Sequence, residues 1–451
     1  MTLTSLLTPA LLAAQSFMLV ITHKDGSFST IPTDQIESIE FTHTNIPDPV
    51  KAPVGIAIGY VSSTAINATY YSNEAYSPSA ANAPVMVTGI VPASAGLNSD
   101  SELRAYIDNN TGAQKQTVAT EGDISTAFAC KSIEFSKLSP ATEYIVVSYD
   151  KSSPTTLYRN YVTTAAAPAP GTKGSIFPSG VSSTTGFIDV DKVRNLDKYG
   201  YSGSDSELCW ACTAAGAIQW WLNDYEKTTG SAYKLNMPFD PQESKCYKTP
   251  VMDVLVQAFT HSAGDAFKTF LWFAEGLKKN QVNNGIKLLN ESYPDWHGGF
   301  LGMTHGEAYS YLQSATKASS AYADGRYTYN QIENLKGLSS TDTRKYMSDV
   351  LYNSLKVGPL MMVIGGSHAV SCWGADYIVE SDGSINVTHL YIGENDPVDG
   401  NVRDGLNHCK MNYDAGTPWF YMTSVHDGGS SKTTVINSFI GLKGYTSADN
   451  K

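Results

Sequence analysis

Cys209-Trp210-Ala211-Cys212-Thr213-Ala214-Ala215-Gly216 opens the stretch that decides how this chain is read. Within and behind it, Ala211, Ala214, Ile218, Leu222 and Tyr225 recur at three- and four-residue steps, the pattern of one apolar helix face. The spacing predicts a helix that begins at the cysteine. A thiol placed there meets unpaired backbone N–H groups and the positive end of the helix dipole. Both favour thiolate, the nucleophilic form. Taken singly, a cysteine beside Ala and Trp on a helix is a small buried hydrophobe. Its meaning depends on what the rest of the chain supplies.

Far downstream, Gly366-Ser367-His368-Ala369-Val370-Ser371-Cys372-Trp373-Gly374-Ala375-Asp376-Tyr377 reads as a strand carrying a histidine. Leu390-Tyr391-Ile392-Gly393-Glu394-Asn395-Asp396-Pro397 reads as a second strand ending in polar acceptors. Gly358-Pro359 leads into an apolar strand at Leu360–Ile364, and Gly365-Gly366 turns it back. That places His368 near a strand start, facing a cleft. A thiol on a helix start, then a histidine on a strand, then an orienting side chain is the order found in papain-like peptidases. Cys209-x-x-Cys212 also fits a thiol-disulfide oxidoreductase, whose first cysteine sits at a helix start too. Such a domain is shorter, follows a β-α-β pattern and carries tryptophan before the first cysteine, whereas Trp210 lies inside this motif. Cys212 is expected one turn along the same helix, packing inward.

The 451 residues suggest two to four domains. Net charge is −12 and no long basic run occurs, which argues against nucleic acid or an anionic membrane as partner. The 27 tyrosines and 37 glycines suit a secreted or surface protein with much β structure. The six cysteines, at 130, 209, 212, 246, 372 and 409, form no paired zinc framework and are sparse for a disulfide scaffold. No metal or organic cofactor is expected. Residues 1–16 resemble a signal-peptide hydrophobic region, without the usual Lys/Arg flank; the other reading is a short apolar strand or helix. No later run is long and apolar enough to span a bilayer.

Residues 1–50 comprise this leader and a short β segment. Met18–Thr22 and Phe28–Pro32 flank an Asp25-Gly26 turn, a hairpin signal, and Ile36–Phe41 follows. The piece resembles a leader segment common on surface and secreted proteins of the Bacteroidetes. Residues 51–166 look all-β, with strands at Val54–Ile58, Val85–Val91 and Tyr144–Tyr149. Leu138-Ser139-Pro140-Ala141-Thr142-Glu143-Tyr144 resembles the tyrosine-corner region of fibronectin type III sandwiches, so an Ig-like β-sandwich is expected, serving as spacer or docking module. Ala and Pro mark a linker at 167–174, across which few contacts are expected. Residues 175–451 form the last domain. Helices at Val251–Phe259, Phe267–Leu277 and Thr341–Leu355, with Ser339, Ser340 and Thr341 as caps, precede strands at Leu360–Ile364, Trp419–Met422 and Thr434–Ile436. Helices first and sheet second is an α+β order.

Residues 186–225 and 366–396 resemble the secreted immunoglobulin-degrading (Mac/Ide-type) cysteine peptidases of streptococci, a papain-like family. The matching segments are Gly186-Phe187-Ile188-Asp189-Val190-Asp191-Lys192, Leu208-Cys209-x-Ala211-x-Thr213-Ala214, the pair Trp220-Trp221, and His368-Ala369-Val370-x-x-Trp373-Gly374-Ala375-Asp376. The resemblance implies a papain-like domain over most of 172–451, with Cys209 as nucleophile, His368 as base and Lys192 as oxyanion-stabilising residue. The family carries two aspartates one residue apart after the histidine strand, where this chain has Glu394 and Asp396 with Asn395 between. Asp396 is the expected orienter of His368, with Glu394 second. On a continuing strand both would point to one side and Asn395 away, whereas a slip in register would promote Asn395, since papain-like enzymes often use an asparagine at this place. The resulting expectation is a secreted or surface cysteine endopeptidase acting on a host extracellular protein such as immunoglobulin. A surface binding protein with a peptidase-like domain is the alternative.

Overall fold

The computed structural model describes residues 18–22, 28–32, 54–72, 85–109, 114–119, 130–151, 157–185, 190, 192, 207–235, 249–259, 264–276, 298–313, 327–328, 339–365, 368–395, 406–413, 420–425 and 431–445. The chain divides into two compact units, Met1–Asp48 and Pro49–Lys451. In the first, β1 (Met18–Thr22) and β2 (Phe28–Pro32) pair antiparallel as a hairpin. The expected leader at 1–16 and the run Ile36–Phe41 lie outside the described residues.

The second unit begins with two antiparallel sheets, β3-β4-β7 and β6-β5-β8-β9. Their strands are β3 (Val54–Val61), β4 (Ile66–Ser72), β5 (Val85–Pro92), β6 (Gln114–Ala119), β7 (Cys130–Phe135), β8 (Glu143–Asp150) and β9 (Leu157–Thr163). Ile66, Ala68 and Phe135 from one sheet meet Met86, Ile90, Tyr144 and Val146 from the other in one buried cluster, which makes the pair a sandwich. The Tyr144 hydroxyl accepts the Ser139 N–H at 3.0 Å and fixes the turn into β8.

The segment is not all-β. Helix α1 (Asp100–Asn109) covers the outer face of the four-stranded sheet, with Leu103 and Ile107 buried against Val87, Val91, Ile145 and Val147. Ser99 and Glu102 cap its start reciprocally: Ser99 N–H donates to the Glu102 carboxylate at 2.9 Å and Glu102 N–H to the Ser99 hydroxyl at 3.2 Å. Gly89 makes the close approach feasible, since a Cβ there would stand 2.7 Å from Ile107.

The α+β part follows. Helix α2 (Cys209–Thr229) packs on α3 (Pro250–Ala258) and α4 (Ala266–Glu275), α5 (His305–Ser310) packs on α4, and their apolar faces share a cluster rich in Trp and Phe. Thr249, Asp265 and Thr304 supply side-chain caps to α3, α4 and α5. Helix α6 (Ser340–Val357) is capped by Ser339, whose hydroxyl accepts the Asp342 N–H.

After β10 (Lys173–Ile176) and the two-residue strands β11 (Leu312–Gln313) and β12 (Tyr327–Thr328), strands β13 (Leu360–Ile364), β14 (His368–Val379), β15 (Ile385–Gly393), β16 (Asn407–Tyr413), β17 (Phe420–Val425) and β18 (Ser431–Leu442) pair antiparallel, and β11 and β12 pair with β18. The sheet runs β14-β13-β18-β17-β16-β15, and β15 pairs back onto β14, closing a ring of six. Met347, Leu351 and Leu355 of α6 join Leu360, Val370, Cys372, Leu390, Cys409 and Phe439 of the ring in a second core. Trp373 is an extra residue in the β14–β15 ladder. It inverts the side-chain alternation, so Cys372 and Ala375 share that core while Trp373 enters the helical one.

The linker does not isolate the sandwich. Lys173–Ile176 forms β10, which pairs with Ala375–Ile378 of β14. The Lys443 ammonium donates to the Ile58 carbonyl, and the Tyr346 hydroxyl to Glu134 at 2.6 Å. Ala57 and Ala65, which flank the sandwich core, belong to the helical and ring cores. An Ala/Pro run marks a stretch without helix or strand periodicity; it carries no information about which surfaces pack later.

Candidate functional site

Cys209 is the first residue of α2. Leu208 precedes it and brings no side-chain cap to the first N–H groups of the helix. The first turns of α2 are buried from Cys209 through Ile218, which anchors the thiol's backbone in the core. Thr213 helps: its hydroxyl donates to the Cys209 carbonyl at 2.9 Å.

His368 is the first residue of β14, directly across from Ile364 in the tight return from β13. Its Nε2 lies 2.6 Å from Glu394 Oε1, and its ring bonds the Cys209 thiol as well, which leaves Nδ1 for the sulfur. The Ala369 N–H also donates to Cys209 Sγ, at 3.4 Å. The result is a line from carboxylate to imidazole to thiol, drawn from three segments far apart in the sequence.

Burial pushes the Cys209 thiol up, but the hydrogen bonds from His368 and Ala369 and the charges of His368 and Lys192 outweigh it. The thiol is held below its ordinary range. Burial likewise works against the imidazolium of His368, and its bonds to Cys209 and Glu394 overcome that, pushing its pKa up to about 10. Both shifts favour thiolate beside imidazolium over neutral thiol beside neutral imidazole.

Lys192 is buried and close enough to act electrostatically on Cys209. Its backbone N–H donates to the Asn395 carbonyl at 3.0 Å. Val190 sits in the helical core; the rest of the 186–191 segment lies outside the described residues.

Glu394 bonds His368, and Asp396 lies outside the described residues. Strand β15 ends at Gly393, so alternation no longer governs Glu394 and Asn395. Asn395 therefore turns inward rather than away. It is buried, and its amide donates to the Ala369 carbonyl at 2.8 Å, the Cys209 carbonyl at 3.3 Å and the Thr213 hydroxyl at 3.5 Å. One side chain thus ties the start of α2 to the start of β14, and its backbone holds Lys192. Sequence reasoning missed this hub. The available signal was an asparagine between two charged residues beside a proline, which reads as an ordinary loop. Cys212 is buried in the helical core, as expected for its place on α2.

No known family profile and no curated protein matches this chain. Among solved structures, the sensor domain of an anti-sigma factor from Pseudobacteroides cellulosolvens is 17% identical, covering 26% of this chain and 98% of that one, with a TM-score of 0.17. A fibronectin type III domain of human collagen alpha-1(XX) is 18% identical over 29% of this chain and 90% of that one, TM-score 0.17. The FN5 domain of Drosophila Lar is 11% identical over 25% and 92%, TM-score 0.15.

Proposed function

We propose that this chain is a cysteine endopeptidase with a papain-like mechanism, similar to the immunoglobulin-degrading peptidases. The observation that carries the reading is the Cys209–His368–Glu394 line, with a depressed thiol and a raised imidazole. The Cys209 thiolate attacks a peptide carbonyl carbon, forming the C–S bond. The carbonyl oxygen gains charge and is met by the Cys209 N–H and the Lys192 ammonium, in the manner of an oxyanion hole. His368 delivers its Nδ1 proton to the leaving amine as the C–N bond breaks. Water then enters, loses a proton to His368 and displaces the thiolate from the acyl group. Glu394 keeps the ring in the orientation and tautomer both steps need.

The expected substrate is an extracellular protein, with immunoglobulin the first to test, and the expected location is secreted or at the cell surface. Among the described residues no helix is long and apolar enough to cross a membrane. The decisive experiment is incubation of the purified chain with immunoglobulin and a panel of other host proteins, followed by sequencing of new termini. Cleavage that disappears in Cys209→Ala is expected. Tight binding to a host protein without any new terminus would overturn the reading in favour of a binding protein.

A further inference from the structure

The far end of β14 carries a second constellation that the thiol chemistry does not use. Asp376 stands directly across from His389 on β15, and His408 lies on β16 across from Tyr391. Thr388 is an extra residue in β15 at this point, so the ladder shifts and sets His389 opposite Asp376. Bulges commonly re-aim a side chain in this way. Asp376 Oδ2 lies 2.7 Å from His408 Nε2 and 3.9 Å from His389 Nδ1. The three candidate ligand atoms all fall within 4.8 Å of one another. The two imidazole rings stack at 4.3 Å with planes 18° apart, so both present an edge to the same carboxylate oxygen.

The other carboxylate oxygen is fixed. Asp376 Oδ1 accepts the Ser175 hydroxyl at 2.6 Å and the Tyr391 hydroxyl at 3.1 Å. Two donors on one oxygen leave the other aimed at the histidines, which is the outer support that metal-binding carboxylates use.

We propose that Asp376, His389 and His408 bind a divalent transition-metal ion of the zinc class, cross-linking β14, β15 and β16 at a site apart from the thiol. Two imidazoles and one carboxylate suit zinc and its neighbours, whereas calcium and magnesium require more oxygen donors. Ligands of a tetrahedral zinc ion stand roughly 3.3 Å from one another, given bonds of about 2.0–2.1 Å. The observed 2.7 and 3.9 Å lie on either side of that spacing, so small side-chain rotations close the site. Side-chain exposures of 45% for His408, 34% for His389 and 25% for Asp376 give an ion access and leave a fourth position open to water or a donor from a partner. His368 lies eight residues away along the strand, about 26 Å at 3.3 Å per residue, so the two sites do not share ligands.

The test is a zinc titration of the full chain, without a histidine tag, in a Cys209→Ala/His368→Ala background that removes the dyad as a competing ligand. Calorimetry should give one Zn²⁺ per chain, and thermal unfolding should shift upward with Zn²⁺ but not with Mg²⁺ or Ca²⁺. His408→Ala and Asp376→Asn, added singly, should weaken binding by roughly 100-fold, and Tyr391→Phe by about tenfold. Should the doubly substituted background fold poorly, the native chain with its thiol alkylated serves the same titration. No saturable Zn²⁺ binding would overturn the proposal. So would binding unchanged by Asp376→Asn, which would reduce the site to a pair of surface histidines. Neither result depends on whether the chain cuts protein.

Discussion

Cys209 and Cys372 are both buried free thiols, and both touch strand β14 or lie within it. They differ in every other respect. Cys372 faces the ring core, where burial raises its thiol far out of reach of ionisation, and nearby Cys409 is pushed up to about 12, again chiefly by burial. Burial also pushes the Cys209 thiol up, yet an imidazole, a backbone N–H and the charges of His368 and Lys192 outweigh it. Burial by itself makes a thiol inert. Reactivity comes from donors that survive burial, and here they are brought together by the starts of a helix and a strand.

The sharpest way to break this comparison is to alkylate the native chain with iodoacetamide at neutral pH. Cys209 should label first, with Cys372 and Cys409 protected until the chain unfolds. Cys209→Ala should lower peptide hydrolysis by about 10⁵-fold or more, while Cys212→Ser retains most of it. Fast labelling at Cys372, or equal loss in the Cys212 variant, would undo the distinction.

His368→Ala should cost about 10⁴-fold in turnover. The sign of its effect on Cys209 follows from the pair. Imidazolium stabilises thiolate, so its removal moves the midpoint of alkylation to higher pH. In the native chain hydrolysis should rise with pH as the thiolate forms, and fall again near pH 10 as His368 loses its proton. An alkylation profile that does not move would separate the two residues.

Glu394→Gln keeps the shape and removes the charge facing His368; a loss of order 10²–10⁴ in turnover is expected, with the descending limb moved to lower pH. Asp396→Asn should lose less, and the reverse order would restore Asp396 as orienter. Asn395→Ala acts on position instead. It should destabilise the fold by about 1–3 kcal/mol, read by urea denaturation, and lower turnover. Unchanged turnover would mean the dyad is held without it.

Removing residues 1–168 should lower the unfolding temperature of the remainder, because it uncovers Lys443, Tyr346 and the apolar surfaces over Ala57 and Ala65. A truncated chain of native stability would show those contacts to be incidental. Smallest of all, Cys372→Ala should cost about 1 kcal/mol of stability and leave turnover unaltered.

Much of this arrangement was legible in the residues. The apolar steps behind Cys209 placed α2, Ser339 placed the start of α6, and Gly358-Pro359 and Gly365 bracketed β13. These signals are local, and local chemistry decides them. Helix α1 was legible too, through Ser99-x-x-Glu102 with Leu103 and Ile107 at helical spacing, but the surrounding β pattern outweighed it. The inward turn of Asn395 was not legible, because it depends on β15 ending at Gly393, and strand ends are fixed by partners rather than by the strand itself. The packing of the sandwich on the ring and helices was equally hidden. It rests on residues such as Lys443 and Ile58, nearly four hundred positions apart, neither distinctive alone.

The ring of strands also sets a timetable. β13 lies between β14, its immediate successor, and β18, which ends at Leu442 and is the last strand of the sheet. While the ribosome is still making residues 365–430, β13 has one open edge, and an open apolar edge invites pairing with other chains. The His368 strand shares that fate, since its return hairpin with β13 is seated only when β18 arrives. The nascent chain therefore carries Cys209 for more than two hundred residues of synthesis before the sheet that positions the histidine can close, and a product cut short before Ser431 would hold that thiol with no finished wall opposite it.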